Sequence, residues 1–261
     1  MKKLLCAALS LVLCLTLAVC ACAEDAGSDL AYVQEKGSLA VGITNFAPMD
    51  YQDEAGEWIG FDADMARLFA ESLGVDVEFI EINWDYKVEE LNAKNIDAVW
   101  NGMTLLEDVM NAMGTSVPYC LNAQVLVVPA EKVADFADAT SLEGLYVAVE
   151  SGSAGEDAAT ELGGTTVPVQ NQASTLMEVV AGTSDAAVID LLMAGAMIGE
   201  GTSYENLTYT VSLADEQYGV GFRKGSDLVD AFNAFWAEKV ADGTVLEVAT
   251  TYGLQESVIL E

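Results

Sequence analysis

Apolar positions along this chain switch between two periods. Residues 38–43 (SLAVGI) form a short apolar run, and residues 75–82 alternate; both are predicted strands. Between them Met65, Leu68, Phe69 and Leu73 recur at helical spacing, with Asp62 in the N-cap position and Gly74 as the stop. A helix is expected over about 85–93, with Val88 and Leu91 inward, and a third strand over 96–102 (IDAVWNG). Thr104 then starts a helix, with Glu107 at capping-box spacing. Before all this, 24–29 reads as a tether, 45–51 as a loop around Pro48, and 53–58 as a turn with Gly56 at positive φ.

The same order returns further on. Residues 146–150 are strand-like, and Ser153 and Glu156 repeat the capping spacing. Strands follow at 165–169 and 186–190, and helices at 173–181 and 193–198. Residues 125–128 and 219–223 (GVGFR) read as strands crossing between the halves, and 228–242 as a closing amphipathic helix. Two βαβαβ halves imply an α/β protein of two Rossmann-like lobes with a ligand cleft between them. Ligands of open α/β sheets sit beyond the carboxyl ends of the strands. This chain ends its strands there with Trp100, Asn101, Gly102, Glu150, Ser151 and Asp190.

Composition changes this picture in three ways. Residues 1–23 carry Lys2 and Lys3, a long apolar run, and Ala21-Cys22-Ala23 before Glu24, the pattern of a cleaved signal peptide. Lipidation at Cys20 or Cys22 is the alternative, as is a retained membrane anchor; the first two readings place the protein outside the cytoplasm. Without the leader, eight basic residues face 42 acidic ones, a net charge of −34. That excess argues against nucleic acid or an anionic membrane surface as partner. Finally, the chain has no His, and Cys120 is the one cysteine beyond the leader. This leaves no Ser/His triad, no His general base and no partner for a nucleophilic cysteine. No metal and no cofactor is expected: phosphate-binding glycine motifs are absent, and a structural zinc site has no ligand set.

The chemistry that remains is binding. Gly102 and Thr104 in one half, and Ser151 and Ser153 in the other, could offer amides and hydroxyls to a carboxylate at a helix start. Asp190, closing an apolar strand, could accept from an ammonium group. Phe46 and Trp84 could pack on a ligand. Each has a plainer reading as a cap or core residue; their recurrence at equivalent places in the two halves is what carries the argument.

Several segments resemble the solute-binding protein family 3, the extracellular receptors of amino-acid ABC transporters. They are GSLAVGI (37–43), FAPMDY (46–51), GFDADMARLFAESLG (60–74), IDAVWNGMT (96–104), QVLVV (124–128), VAVESGSAGEDA (147–158), SDAAVID (184–190) and YGVGFRKG (218–225). The resemblance implies a type II periplasmic-binding fold, with lobe 1 at 29–123 plus 219–261 and lobe 2 at 124–218. It implies a monomer that closes on one small ligand, an amino acid or amine, and docks on membrane permease subunits. By the same resemblance, Phe46 and Trp84 would sandwich the ligand, Gly102 and Thr104 would bind its α-carboxylate, Ser151 and Ser153 would border it, and Asp190 would bind the α-ammonium. One departure stands out. The family usually has an arginine five residues after the threonine, paired with the ligand's carboxylate, and here that position is Val109. With Asn101, Glu150 and Asp190 lining the cleft, a cationic ligand without a carboxylate is the alternative. A sensing domain, or an enzyme on the same fold such as a dehydratase, are the remaining readings.

Overall fold

The computed structural model describes residues 27–260. The leader, with Cys20 and Cys22, lies outside these residues. Among the described residues no helix is long and apolar enough to cross a membrane.

The first half runs α1 (Asp29–Lys36), β1 (Ser38–Ile43), a ribbon of β2 (Tyr51–Gln52) and β3 (Trp58–Ile59), α2 (Phe61–Leu73) and β4 (Asp76–Glu81). A 3₁₀ turn, Trp84–Tyr86, leads into α3 (Lys87–Asn92), then β5 (Ala98–Thr104), α4 (Glu107–Ala112) and β6 (Gly114–Thr115). Strand β7 (Cys120–Pro129) crosses over. The second half runs β8 (Tyr146–Glu150), α5 (Ala154–Glu161), β9 (Thr165–Val169), α6 (Gln172–Ala181), β10 (Ala186–Asp190) and α7 (Leu191–Met197). Strand β11 (Leu207–Phe222) returns, and α8 (Leu228–Ala241) and α9 (Thr244–Thr251) close against the first half.

One sheet threads both halves, in the order β4-β1-β5-β11-β7-β10-β8-β9, with β6 also paired to β11. The trios β4-β1-β5 and β9-β8-β10 are parallel and mirror each other about the centre. At the centre β7 and β11 run antiparallel, from Leu207 opposite Pro129 to Tyr218 opposite Cys120. They are the two crossing segments, and an antiparallel pair does this naturally because it carries the chain out and back. The sequence marked only the last residues of β11. Its first part alternates half-buried and exposed positions, and continuous burial starts near Tyr218, so hydrophobicity alone reveals only the end inside lobe 1. Register shifts between Tyr209 and Ala214 bend the long strand. The lobe boundaries read from the sequence, at 123/124 and 218/219, fall inside these two strands.

The lobes are held differently. Lobe 1 packs aromatics: the Trp100 ring meets Phe232 edge-on at 5.0 Å, and Phe69 lies 5.2 Å from Phe235. Lobe 2 packs aliphatics, among them Leu126, Leu142, Val147, Val149 and Val188. Each such buried side chain stabilises the fold by about 1.5–3 kcal/mol. Arg223 is buried and ties α1 to the sheet through Asp29 (2.9 Å) and Asp97 (3.0 Å).

Two helix starts differ from the expectation. Helix α2 begins at Phe61 with Gly60 in the cap position. Asp62 is instead fully buried, and its Oδ2 accepts from the Gly102 N–H and the Tyr119 hydroxyl, both at 2.7 Å. Thr104 ends β5 rather than capping α4, which starts at Glu107 with no side-chain cap. In both places a tertiary acceptor or donor outcompeted the local one. The Ser153 cap does form: its Oγ accepts from Glu156 N–H, while Glu156 Oε2 accepts from Gly152 N–H at 2.8 Å.

Candidate functional site

The ends of β5, β8 and β10 converge on a narrow cleft between the lobes, with a cavity volume of about 50 Å³. Trp84, Asn101, Gly102, Thr104, Glu150, Ser153 and Asp190 all line it. Phe46 and Ser151 stand outside the lining. Phe46 is buried behind Gly102, edge-on to Tyr218 at 6.3 Å. Gly102 has φ +58°, and a Cβ there would come within 2.4 Å of the Phe46 ring. Glycine is therefore required for strand and ring to fit, and Phe46 shapes the wall from behind.

Asp190 is the hub of the floor. Its Oδ1 accepts from Tyr218 Oη at 2.7 Å, Gln124 Nε2 at 3.0 Å and Asn122 Nδ2, and its Oδ2 accepts from Gln172 Nε2. The side chain makes no cap bond to α7. Beside it, on β11, Glu216 Oε1 accepts from the same Asn122 (2.6 Å) and Gln124 (2.9 Å). Glu216 Oε2 takes the Thr104 hydroxyl at 3.0 Å. Burial first, and the Glu216 carboxylate second, hold Asp190 well above the usual carboxylate range. Two carboxyls sharing two amide donors make a place for a cation.

Other groups are spent within the protein. Asn101 Oδ1 accepts from Thr44 N–H and its Nδ2 donates to Thr44 Oγ1, both at 3.0 Å, which fixes the loop after β1. The Gly102 N–H is held by Asp62 and the Gly152 N–H by Glu156. Glu150 is different. It is buried, its Oε1 has no partner, and burial pushes it up to about 8 against the opposing pull of Thr44, Lys87 and Gln172.

Lys87 is the residue that sequence reasoning missed. It lines the cleft, its Nζ donates to the Gly152 carbonyl at 3.0 Å and the Trp84 carbonyl at 3.3 Å, and it sits 5.1 Å from the centroid of the Trp84 ring. It is the one basic residue lining this cleft. Arg67 is engaged by Asp64 and the Trp58 carbonyl, and Arg223 by Asp29 and Asp97. Lys87 falls on the polar side of a short predicted helix, where lysine ordinarily faces solvent. Gln124, Gln172, Asp108, Asp157 and Val109 also line the cleft. Among the described residues, no group of three or more His, Cys, Asp or Glu could hold a metal ion. Cys120 is buried, and burial pushes its thiol well above the usual range, so it is no nucleophile.

The geometry is thus a two-lobed binding protein with its ligand cleft at the crossing strands. The profile of the bacterial extracellular solute-binding proteins, family 3, matches residues 39–255, and the chain belongs to that family. It is a substrate-binding component of an ABC importer. The L-cystine-binding protein TcyJ of Escherichia coli is 28% identical over 218 residues, which cover 82% of this chain and 81% of TcyJ. A mutant of ArgBP from T. maritima superposes with a TM-score of 0.79 at 28% identity, covering 86% of this chain and 98% of that one. The ancestral amino acid-binding protein AncCDT-1, described as a precursor of cyclohexadienyl dehydratase, gives 0.77 at 29% identity, covering 86% and 99%.

Proposed function

We propose that this receptor captures a free α-amino acid outside the cytoplasm and delivers it to a membrane permease. The observation that carries the reading is the pairing of buried Asp190 with half-buried Glu216, which share Asn122 and Gln124 as donors. Such a pair is short of positive charge, and the ammonium of an amino acid supplies it with directed N–H bonds. The unpartnered Glu150 Oε1 offers a further acceptor in the same cleft. The relatives fit: TcyJ is named for cystine, and ArgBP has been solved with arginine bound. In this reading residues 29–123 with 219–261 move against 124–218, and the chain acts as a monomer.

Binding, not turnover, is the proposed activity despite the similarity to a dehydratase precursor. Acyclic zwitterions need only matched charges, whereas a carboxylate-rich ring substrate needs several cations, and this cleft is lined by Lys87 alone. A cationic ligand without a carboxylate is the second reading. It is favoured by Val109 in the arginine's place and by the Thr104 proton being committed to Glu216.

A thermal-shift panel of proteinogenic amino acids, cystine, polyamines and small carboxylates tests this. A ligand at about 1,000 times its Kd adds roughly 4 kcal/mol, about 8–16 °C for a chain of this size. The reading expects such a shift with an α-amino acid and none with its N-acetyl derivative. Shifts confined to amines would favour the second reading and overturn the first.

A further inference from the structure

We propose that Lys87 is the carboxylate anchor of this cleft, performing from α3 the task that an arginine at position 109 performs in relatives. The inference rests on the amino-acid reading above and names the group that makes it specific.

Three observations point to it. Lys87 is half-buried, yet among the described residues it makes no ion pair; its two hydrogen bonds go to neutral carbonyls, of Trp84 and Gly152. An ammonium has three donors, so one remains for a ligand. Its position is also the right one. Val109 and Lys87 line the same cleft as Asp190, which would take the ammonium end of a zwitterion. Ala154, at the first turn of the eight-residue α5, completes the wall, so a carboxylate on Lys87 would also meet a helix N-terminus.

The surrounding acids do not already satisfy this lysine. Glu150, Asp108, Asp85 and Asp157 surround it at longer range. Among the described residues none of the four makes an ion pair with the ammonium, whose two hydrogen bonds go to carbonyls. A carboxylate brought by the ligand is the missing counter-ion. Lys87 also occupies the face of Trp84 on which a ligand's own cation would stack. The same residue therefore turns the cleft away from ligands whose only charge is positive.

Calorimetry on the purified protein with matched pairs tests this: L-cystine with cystamine, L-histidine with histamine, and L-arginine with agmatine. Each pair differs only by the α-carboxylate, of which cystine carries two. Wild-type protein should prefer the acid member by on the order of 100-fold, the loss expected when a buried charge pair is left half-made. Lys87→Met should erase most of that preference by weakening the acid member while leaving the amine no weaker, and Lys87→Arg should keep it. If Lys87 only bridges the lobes through Gly152, Lys87→Met will weaken both members alike, and that result overturns the proposal. So does a Lys87→Met protein that still prefers the acid. Wild-type protein that binds amines without preferring any acid would overturn the carboxylate anchor and leave the second reading of the site. Wild-type protein that binds no member of any pair would overturn the amino-acid reading itself.

Discussion

Lobe 1 and lobe 2 repeat one fold but turn opposite chemistry to the cleft. At the end of β5, lobe 1 spends its polar groups internally: Asn101 on Thr44, and the Gly102 N–H on Asp62. What it presents includes Trp84, Lys87, Asp108 and Val109. At the equivalent end of β10, lobe 2 presents Asp190, backed by Gln172, and adds Glu150 from β8; the crossing strand β7 adds Gln124. The buried acids are alike in one respect: Asp62 in lobe 1, pushed up to about 7 by burial, has two protein donors on Oδ2 but none on Oδ1, and Glu150 in lobe 2 likewise keeps an oxygen without a partner. Repetition preserved the scaffold and let the strand ends diverge. The result is a cleft with its lysine on one wall and Asp190 and Glu150 on the other, the complement of a zwitterion lying across it.

The largest expected break in that comparison is at Asp190. Asp190→Asn keeps the shape and removes the carboxyl that can ionise against the ligand's ammonium. Calorimetry should show affinity falling on the order of 1,000-fold or more, with circular dichroism unchanged. Asp190→Ala should lose binding too, but it also strands the donors of Asn122, Gln124, Gln172 and Tyr218 and should lower the melting temperature. Unchanged affinity in Asp190→Asn would remove the acidic wall from the site.

Next comes the acidic wall's effect on stability. Glu150 moves from 4.5 to about 8 on folding. A carboxyl with a raised folded-state pKa favours the fold while protonated, so its contribution is present at low pH and is lost as pH climbs from 4.5 toward 8. Between pH 5 and 8 the ligand-free protein should lose on the order of 3 kcal/mol from this group. Glu150→Gln should flatten that part of the melting-temperature profile, leaving a smaller slope from Asp62. An unaltered slope would show that Glu150 is ionised in the fold and exposed to water.

Smaller again is a break in how the walls meet. Gly152 in lobe 2 has φ +72°, and a Cβ there would lie 2.7 Å from the Cα of Asp85 in lobe 1. Gly152→Ala should prop the lobes apart, raise the radius of gyration in small-angle scattering, and weaken ligand on the order of 30-fold. A scattering curve identical to wild type would mean that the loop yields and the lobes still close.

The scaffold was legible because it is made of repeated local patterns. Apolar runs at 38–43 and 186–190 and the Met65–Leu73 face lie in the elements the sequence implied, and the strand-end residues it singled out mostly reached the cleft. What stayed hidden is tertiary. Thr104 and Asp62 look like caps, but Glu216 and the Gly102 amide, 112 and 40 residues away, claim them. Glu216 sits in the half-exposed part of β11, and Gln124 and Gln172 in strand and helix starts where amides carry no signature. Lys87 looks like a solvated helix residue. Its position facing Gly152 depends on how closely the lobes approach, and no spacing along one lobe reports that.

The smallest expected effect sharpens the comparison most. Val109 is largely buried against the lobe 1 cluster that includes Trp84 and Met103, so an arginine there can place its guanidinium only in the cleft. If lobe 1 is the carboxylate wall, Val109→Arg should tighten α-amino acids about tenfold, through a second charge-assisted contact, and leave the matched amines no tighter. In the Lys87→Met background the same substitution should restore the preference for the acid member of each pair, because either cation can serve that wall. Restoration would show that the positive side of the cleft is defined by charge and place rather than by one side chain. Failure in both backgrounds, with the fold intact, would mean that the ligand's carboxylate never reaches lobe 1, and the two walls would then share an acidic role toward a purely cationic ligand.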